Sequence, residues 1–341
     1  MSKRITAASA QAKQALELVE FLQSRFVQAL EKLGGVDFER AEWFRDAGRH
    51  GGGVRYGLSD SSLLERASVN VSQVQYDDEP ERQLGSASAI STIVHPAHPS
   101  APSVHIHVSW TELKSGAGYW RIMADLNPSR PDLLQTEQFG EALKNAAPHE
   151  FISAEDQGDR YFFIPELNRH RGSFHFYLEN YNTGSFENDM ALARAVGIAA
   201  IDGYIKLLSA STQDVCEPTD DERASKLAYH TLYLFQVLTL DRGTTSGLLI
   251  HNQNDIGILG SLPARVDKNL LASWRSRMTA PQDRLLNGIL NALPREGICV
   301  VDSKVKQRLA DAVRAHYQRY PEALDLQASG NSIPSTVANH Q

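Results

Sequence analysis

Histidine is the residue through which this chain could do metal chemistry: it has twelve, against only two cysteines, Cys216 and Cys299. In Val104-His105-Ile106-His107-Val108-Ser109-Trp110, strand alternation turns Val104, Ile106 and Val108 one way and His105, His107 and Ser109 the other. The apolar face needs a core, so both imidazoles share the opposite surface. Two such side chains can chelate one ion, and neutral imidazole suits Fe, Cu, Zn or Ni. The pattern recurs in Ser173 to Asn180, where Phe174, Phe176 and Leu178 line one face and His175, Tyr177 and Glu179 the other. If the two strands lie in one sheet, His105, His107 and His175 converge. Glu179 is then a further ligand or a base. The plainer alternative is two ordinary polar strand faces.

Other segments offer less. Arg49-His50-Gly51-Gly52-Gly53-Val54-Arg55 is glycine-rich but matches neither phosphate-binding spacing, so a structural turn is the first reading. Asp241-Arg242-Gly243-Thr244 follows an apolar run and precedes Gly247-Leu248-Leu249-Ile250, which suggests a turn, then a strand, with an ion pair or anion clamp at the turn. There is no G-x-S-x-G and no H-E-x-x-H, and neither cysteine has a local activating signature.

These segments must be positioned by a larger frame. Residues 8–33 carry an apolar stripe at helical spacing, from Ala15 through Leu18, Leu22, Phe26 and Leu30, and Gly34-Gly35 ends it. From about 50 to 125 the texture is that of strands, as in Ser68-Val69-Asn70-Val71-Ser72, with short polar turns that imply a mainly antiparallel sheet. The second half predicts helices at about 135–147, 187–210, 219–236, 281–293 and 303–320. Tyr161–Ile164, Ser173–Asn180 and Thr245–Leu262 are expected to be extended. The polar stretch after Leu326 is expected to be disordered. With no repeat and no Pro/Gly linker, residues 1–325 form one α+β domain.

The length of 341 residues allows a sizeable core, and 42% hydrophobic with 22% charged residues is an ordinary globular composition. A formal net charge of -7 argues against nucleic acid as a partner. No apolar run approaches a membrane span, and the first residues, MSKRITAASAQAK, lack the centre of a secretion signal. Few cysteines and no signal make the cytoplasm the expected location.

In order along the chain, these segments resemble the oxygen-dependent coproporphyrinogen III oxidases, from about Trp43 to Trp274. The landmarks are Gly51-Gly52-Gly53-Val54-Arg55, Ala67 to Ser72, and Ser91-Thr92-Ile93-Val94-His95-Pro96-Ala97-His98-Pro99. His105 follows at the start of its strand. After it come Asp125-Leu126-Asn127-Pro128, Arg171-Gly172, Asp241-Arg242-Gly243-Thr244, Gly247-Leu248 and Ser261-Leu262-Pro263. The resemblance implies a large antiparallel sheet flanked by helices on both sides, a homodimer, and molecular oxygen as co-substrate without an organic cofactor. The implied reaction converts two propionate side chains to vinyl groups.

The chain also departs from that pattern. Where the family has His-Ala-Asn-Tyr-Arg, this sequence has His105-Ile106-His107-Val108-Ser109, losing the arginine. Where it has Gly-Gly-Ile-Phe-Phe-Asp-Asp-Leu, this sequence has Phe174 to Tyr181. The Gly-rich turn before the Asp-Leu-Thr-Pro motif has become Ile122-Met123-Ala124, and residues 275–325 are a divergent helical part. These departures imply a smaller or differently shaped cleft, and they place His107 and His175 where the family has Asn and Gly.

The expectation that follows is an oxygen-dependent oxidase or oxygenase with a changed, small carboxylate-bearing substrate, which it decarboxylates or hydroxylates. Fe or Cu would sit on His105, His107, His175 and Glu179. His105, Asp241, Arg242 and Glu179 are the catalytic candidates. Arg242, Arg55, Arg171, Ser91 and Tyr177 are the substrate-binding ones. The alternatives are a true coproporphyrinogen III oxidase relying on His105, Asp241 and Arg242, and an inactive homologue acting as a binding protein.

Overall fold

The computed structural model describes residues 3–213, 216–251, 254–294 and 297–330. Helix α1 (Ala10–Gly34) begins where Ser9 Oγ accepts the Ala12 N–H, and it stops at Gly35, whose φ of 63° suits a residue without a side chain. Its buried stripe, Ala15, Leu18, Leu22, Phe26 and Leu30, is the one the spacing predicts.

The chain then builds six antiparallel strands in succession: β1 (Glu39–Phe44), β2 (Gly51–Ser59), β3 (Leu64–Gln75), β4 (Leu84–Pro96), β5 (Ser103–Leu113) and β6 (Gly118–Asn127). Helices α2 (Leu133–Ala146) and α3 (Phe151–Phe162) and a small ladder of β7 (Phe163–Ile164) with β8 (Arg169–His170) intervene before β9 (Phe174–Tyr181). β9 joins the edge, giving the order β1-β2-β3-β4-β5-β6-β9. Alternation does the rest. Val104, Ile106, Val108, Ile122, Ala124, Leu126, Phe174, Phe176 and Leu178 share one core with α1, α2 and α4 (Phe186–Ala210). The other face is covered by α3 and by α5 (Asp220–Thr239), α6 (Arg242–Ile250) and α7 (Asp255–Ile258). Behind these lie α8 (Lys268–Ser273), α9 (Gln282–Ala292) and α10 (Ser303–Arg319), with a ladder of β10 (Arg265–Asp267) and β11 (Ile298–Val300). This is the expected α+β arrangement, a large antiparallel sheet with helices on both sides.

Three local expectations fail, each for a visible reason. Within the expected extended stretch Thr245–Leu262, the described residues form α6 to Ile250 and α7 from Asp255, because Asp241 Oδ1 accepts the Thr244 N–H at 2.6 Å and caps α6. Tyr161 and Phe162 close α3 instead of opening a strand. That helix forms against β9 because Gly158 leaves room: a Cβ there would lie 2.7 Å from that of His175. The polar stretch after Leu326 is packed as far as Gly330, where Gln327 Nε2 donates to Thr245 Oγ1 at 2.6 Å and the Gly330 N–H donates to Glu179 Oε2 at 3.1 Å. The rest of that expectation, 331–341, lies outside the described residues. Among the described residues, no helix is long and apolar enough to cross a membrane.

Candidate functional site

The second face of the sheet carries polar side chains in cross-strand rows, because residues paired in register point the same way. One row runs Asn70, Ser91, His107, Met123, Tyr177; the next runs Ser68, Ile93, His105, Asp125, His175. A third places Ser109 directly opposite Arg121. Between these rows and the helices above them is a cavity of about 270 Å³. Ser91, His105, His107, Arg121, Tyr177, Tyr161, Tyr233, Asp241 and Arg242 all contribute to its wall.

At its floor is a buried chain of charges. His105 Nδ1 lies 2.8 Å from Asp125 Oδ1, and Arg171 donates to Asp125 Oδ2 at 2.6 Å. Asn127 Nδ2 donates to the same oxygen at 2.7 Å. Arg171 is fixed in turn by Gln236 Oε1 at 2.7 Å and lies between the rings of Phe162 and Tyr233. Its placement depends on Gly172 at φ 83°, where a Cβ would meet Asn127 Oδ1 at 2.6 Å. Burial alone would raise the Asp125 carboxyl, but Arg171 and then His105 outweigh it and hold it well below the ordinary carboxylate range. Asp125 is therefore an anion that orients His105 and takes its Nδ1 proton as a hydrogen bond. With Nδ1 so engaged, Nε2 is the ring nitrogen available for chemistry in the cavity.

The four expected metal ligands do not gather. His175 lies on the predicted face, but α3 covers it: Nδ1 meets Asp159 Oδ1 at 2.7 Å and Nε2 meets the Arg171 carbonyl at 2.5 Å. Neither nitrogen is left for an ion. Glu179 is ion-paired with Arg242 and accepts from Tyr177 Oη at 3.1 Å and from the Gly330 amide. His107 meets Ser109 Oγ at 3.0 Å, and burial, then His105 and Arg121, push it down to about 3, so it is neutral. Among the described residues, only His50, Asp78 and Glu79 bring three possible ligand atoms within 4.8 Å of one another. They lie away from the cavity wall, and Arg49 and Arg82 already pair with the two acids. The expected Fe or Cu site on His105, His107, His175 and Glu179 thus does not fit this geometry.

The other expected residues fall into place unevenly. Ser91 and Tyr177 line the cavity, as do Arg171, Asp241 and Arg242. Arg171 is a positioning group, because its guanidinium is committed to Asp125 and Gln236. Arg242 is buried and held by Glu179, and Asp241 serves as the α6 cap and accepts from Tyr161 Oη at 2.9 Å. Arg55 lies against Gly257, at the far end of the wall.

Two residues central to the site were not singled out from the sequence. Asp125 stood only within the Asp-Leu-Asn-Pro landmark, and Arg121, just before the altered stretch Ile122-Met123-Ala124, was in no segment named. The alternation of Arg121, Met123, Asp125 and Asn127 along β6 is the signal that could have found both. Arg121 enters no ion pair among the described residues, and its buried Nε has no hydrogen-bond partner there. It is a cation in the cavity wall with bonding capacity to spare.

A family model described as coproporphyrinogen III oxidase matches residues 14–291, which adds α1 and α9 to the stretch of resemblance. The rat mitochondrial oxygen-dependent coproporphyrinogen-III oxidase is 26% identical over 297 residues, covering 80% of this chain and 65% of that protein. The human mitochondrial oxygen-dependent coproporphyrinogen-III oxidase is 26% identical over 304 residues, with 81% and 65% covered. The oxygen-dependent coproporphyrinogen-III oxidase of Rickettsia akari (strain Hartford) is 28% identical over 246 residues, with 68% of this chain and 85% of that protein covered. The match thus spans just under two thirds of the length of the two mammalian proteins.

Proposed function

Because the chain belongs to the coproporphyrinogen III oxidase family, we propose that it is an oxygen-dependent oxidoreductase that decarboxylates a propionate-bearing small molecule in the cavity above β4–β6. The observation that carries this reading is the buried His105–Asp125–Arg171 chain at the floor of a cavity whose wall includes the partly unbonded Arg121. Relatives named as oxygen-dependent oxidases supply the co-substrate. The cavity lies just below the usual 300–1,000 Å³ of ligand pockets, which favours a substrate smaller than a porphyrinogen with four carboxylates.

In this reaction one propionate, one O2 and one proton become a vinyl group, CO2 and H2O2. The substrate loses its carboxylate as CO2 and one hydrogen from the carbon next to the ring, and O2 accepts the electron pair. Arg121 holds the carboxylate through charge-assisted hydrogen bonds. His105 Nε2 handles the proton, while Asp125 fixes the ring and stabilises the imidazolium that forms. A homodimer, implied by the resemblance, is part of the same reading.

Coproporphyrinogen III itself is the second reading, favoured by the names of the relatives and the span of the family match. The test measures O2 uptake, CO2 and vinyl product with a monopyrrole propionate and with coproporphyrinogen III. Turnover of the monopyrrole supports the first reading, and turnover of coproporphyrinogen III alone selects the second. Binding without O2 uptake for both would contradict oxidase activity and favour the inactive homologue. With whichever substrate turns over, Arg121→Met is expected to raise KM about 10- to 100-fold, the loss of one charged hydrogen-bonding partner.

A further inference from the structure

A second group of cations lies at the β2–β3 end of the same face, outside the chemistry proposed above. Arg55 on β2 is paired in register with Asn70, which shares the cavity face of β3 with Ser68 and Arg66. The Arg55 guanidinium is packed against Gly257 of α7, where a Cβ would lie 2.4 Å from one of its terminal nitrogens. The neighbouring Gly260 packs against Ser68 Oγ and the Arg55 stem, with a Cβ there 3.0 Å and 3.7 Å away. Arg66 is held by one terminal nitrogen, which donates to the Val301 carbonyl at 3.1 Å and the Leu262 carbonyl at 3.3 Å; its buried Nε has no partner. Val301 immediately precedes the Asp302 cap of α10, and Lys306 stands in that helix's first turns, 7% exposed.

Lys306 therefore comes from a helix beyond the matched family region, and its amine is buried within electrostatic reach of Arg66 and Arg55. Among the described residues none of the three enters an ion pair. The nearby acids act only at longer range: Glu39 on Arg55, and Asp60 and Glu65 on Arg66. Glu65 is itself paired with Lys226 and Arg265. Burial, then Arg66 and Arg55, push the Lys306 amine down to about 7, and no carboxylate counters them. Buried charges are normally paired; Lys306 is buried and Arg55 and Arg66 are half-buried, so an anion among them would give all three a charge partner.

We propose that Arg55, Arg66 and Lys306 form an anion-binding subsite, bordering the cavity wall at Ser68 and Gly257, that takes an oxyanion group, carboxylate or phosphate. Forked guanidinium donors suit either geometry, and Lys306 adds a point charge. Across the sheet, Arg55 lies four strand spacings, ~19 Å, from Arg121. The subsite would hold either a free anion or the far end of an extended substrate.

The test needs no turnover. Calorimetric titration of the full chain with inorganic phosphate and with succinate, at constant ionic strength in chloride, is expected to show saturable one-to-one binding of at least one. Preference for phosphate or for succinate identifies the ligand class. Lys306→Met is expected to weaken that binding about tenfold or more. Should Lys306→Met fail to fold, carbon-13 NMR of the reductively methylated wild-type chain decides, with the Lys306 titration midpoint expected to rise when the anion is added. No saturable binding of either anion, wild-type affinity in Lys306→Met, or a Lys306 midpoint indifferent to anion would overturn the proposal.

Discussion

Asp125→Ala is expected to destabilise the fold by about 3–5 kcal/mol, the usual consequence of stranding a buried charge. The carboxylate is fully buried and satisfies Arg171, His105 and Asn127 together. Without it, Arg171 keeps only Gln236 and the faces of Phe162 and Tyr233 to offset its desolvation. Urea unfolding followed by circular dichroism checks the loss. The double variant Asp125→Ala with Arg171→Met removes both charges at once, and its destabilisation should fall well short of the sum of the two single changes. Additive losses would mean that the two residues are not coupled, and the charge chain would have no role in holding His105.

Stability should also fall steeply in mild acid. Three buried histidines are held neutral. Burial, with smaller contributions from neighbouring cations or His230, pushes His107 and His230 down to about 3 and His95 well below its ordinary value. The unfolded chain protonates all three near pH 6.5, so below that value it binds more protons than the folded chain. Stability is thus complete above about pH 6.5 and is lost as pH falls toward 3, at up to about 1.4 kcal/mol per pH unit for each histidine. By pH 5 this amounts to roughly 2 kcal/mol per histidine. Asp125, whose folded pKa is depressed, adds a loss of the same sign at still lower pH. Unfolding midpoints measured from pH 7.5 to 5 should show the decline, and His107→Gln should reduce its slope by about one proton. A flat profile over that range would contradict the assignment of these side chains as neutral and buried.

Much of the frame was legible because strand alternation has a period of two and tolerates little ambiguity. The apolar faces of β5 and β9, and the shared orientation of His105 and His107, follow from it directly. What alternation cannot show is what covers a face. His175 points to the expected side, yet it lies on the edge strand, where α3 takes both its nitrogens. Glu179 likewise points inward, and α6 delivers Arg242 onto it. Helix α6 itself was hidden, since Gly247-Leu248-Leu249-Ile250 suits a strand as well as a helix, and the Asp241 cap decides between them only once the turn is formed. Helix α3 was hidden by Gly158, a poor helix residue by propensity that is required here by contact with His175. Asp125 and Arg121 lay on a strand whose alternation was not followed through to its polar face.

The central claim is that His105, oriented by Asp125, handles the proton in an oxygen-dependent decarboxylation in this cavity. The most direct measurement compares wild type with His105→Gln on the substrate that turns over, recording O2 uptake and substrate affinity separately. The account predicts affinity within about threefold of wild type and turnover lower by about 10²- to 10⁴-fold, the usual contribution of a positioned proton-transfer group. Turnover in His105→Gln equal to wild type would contradict it.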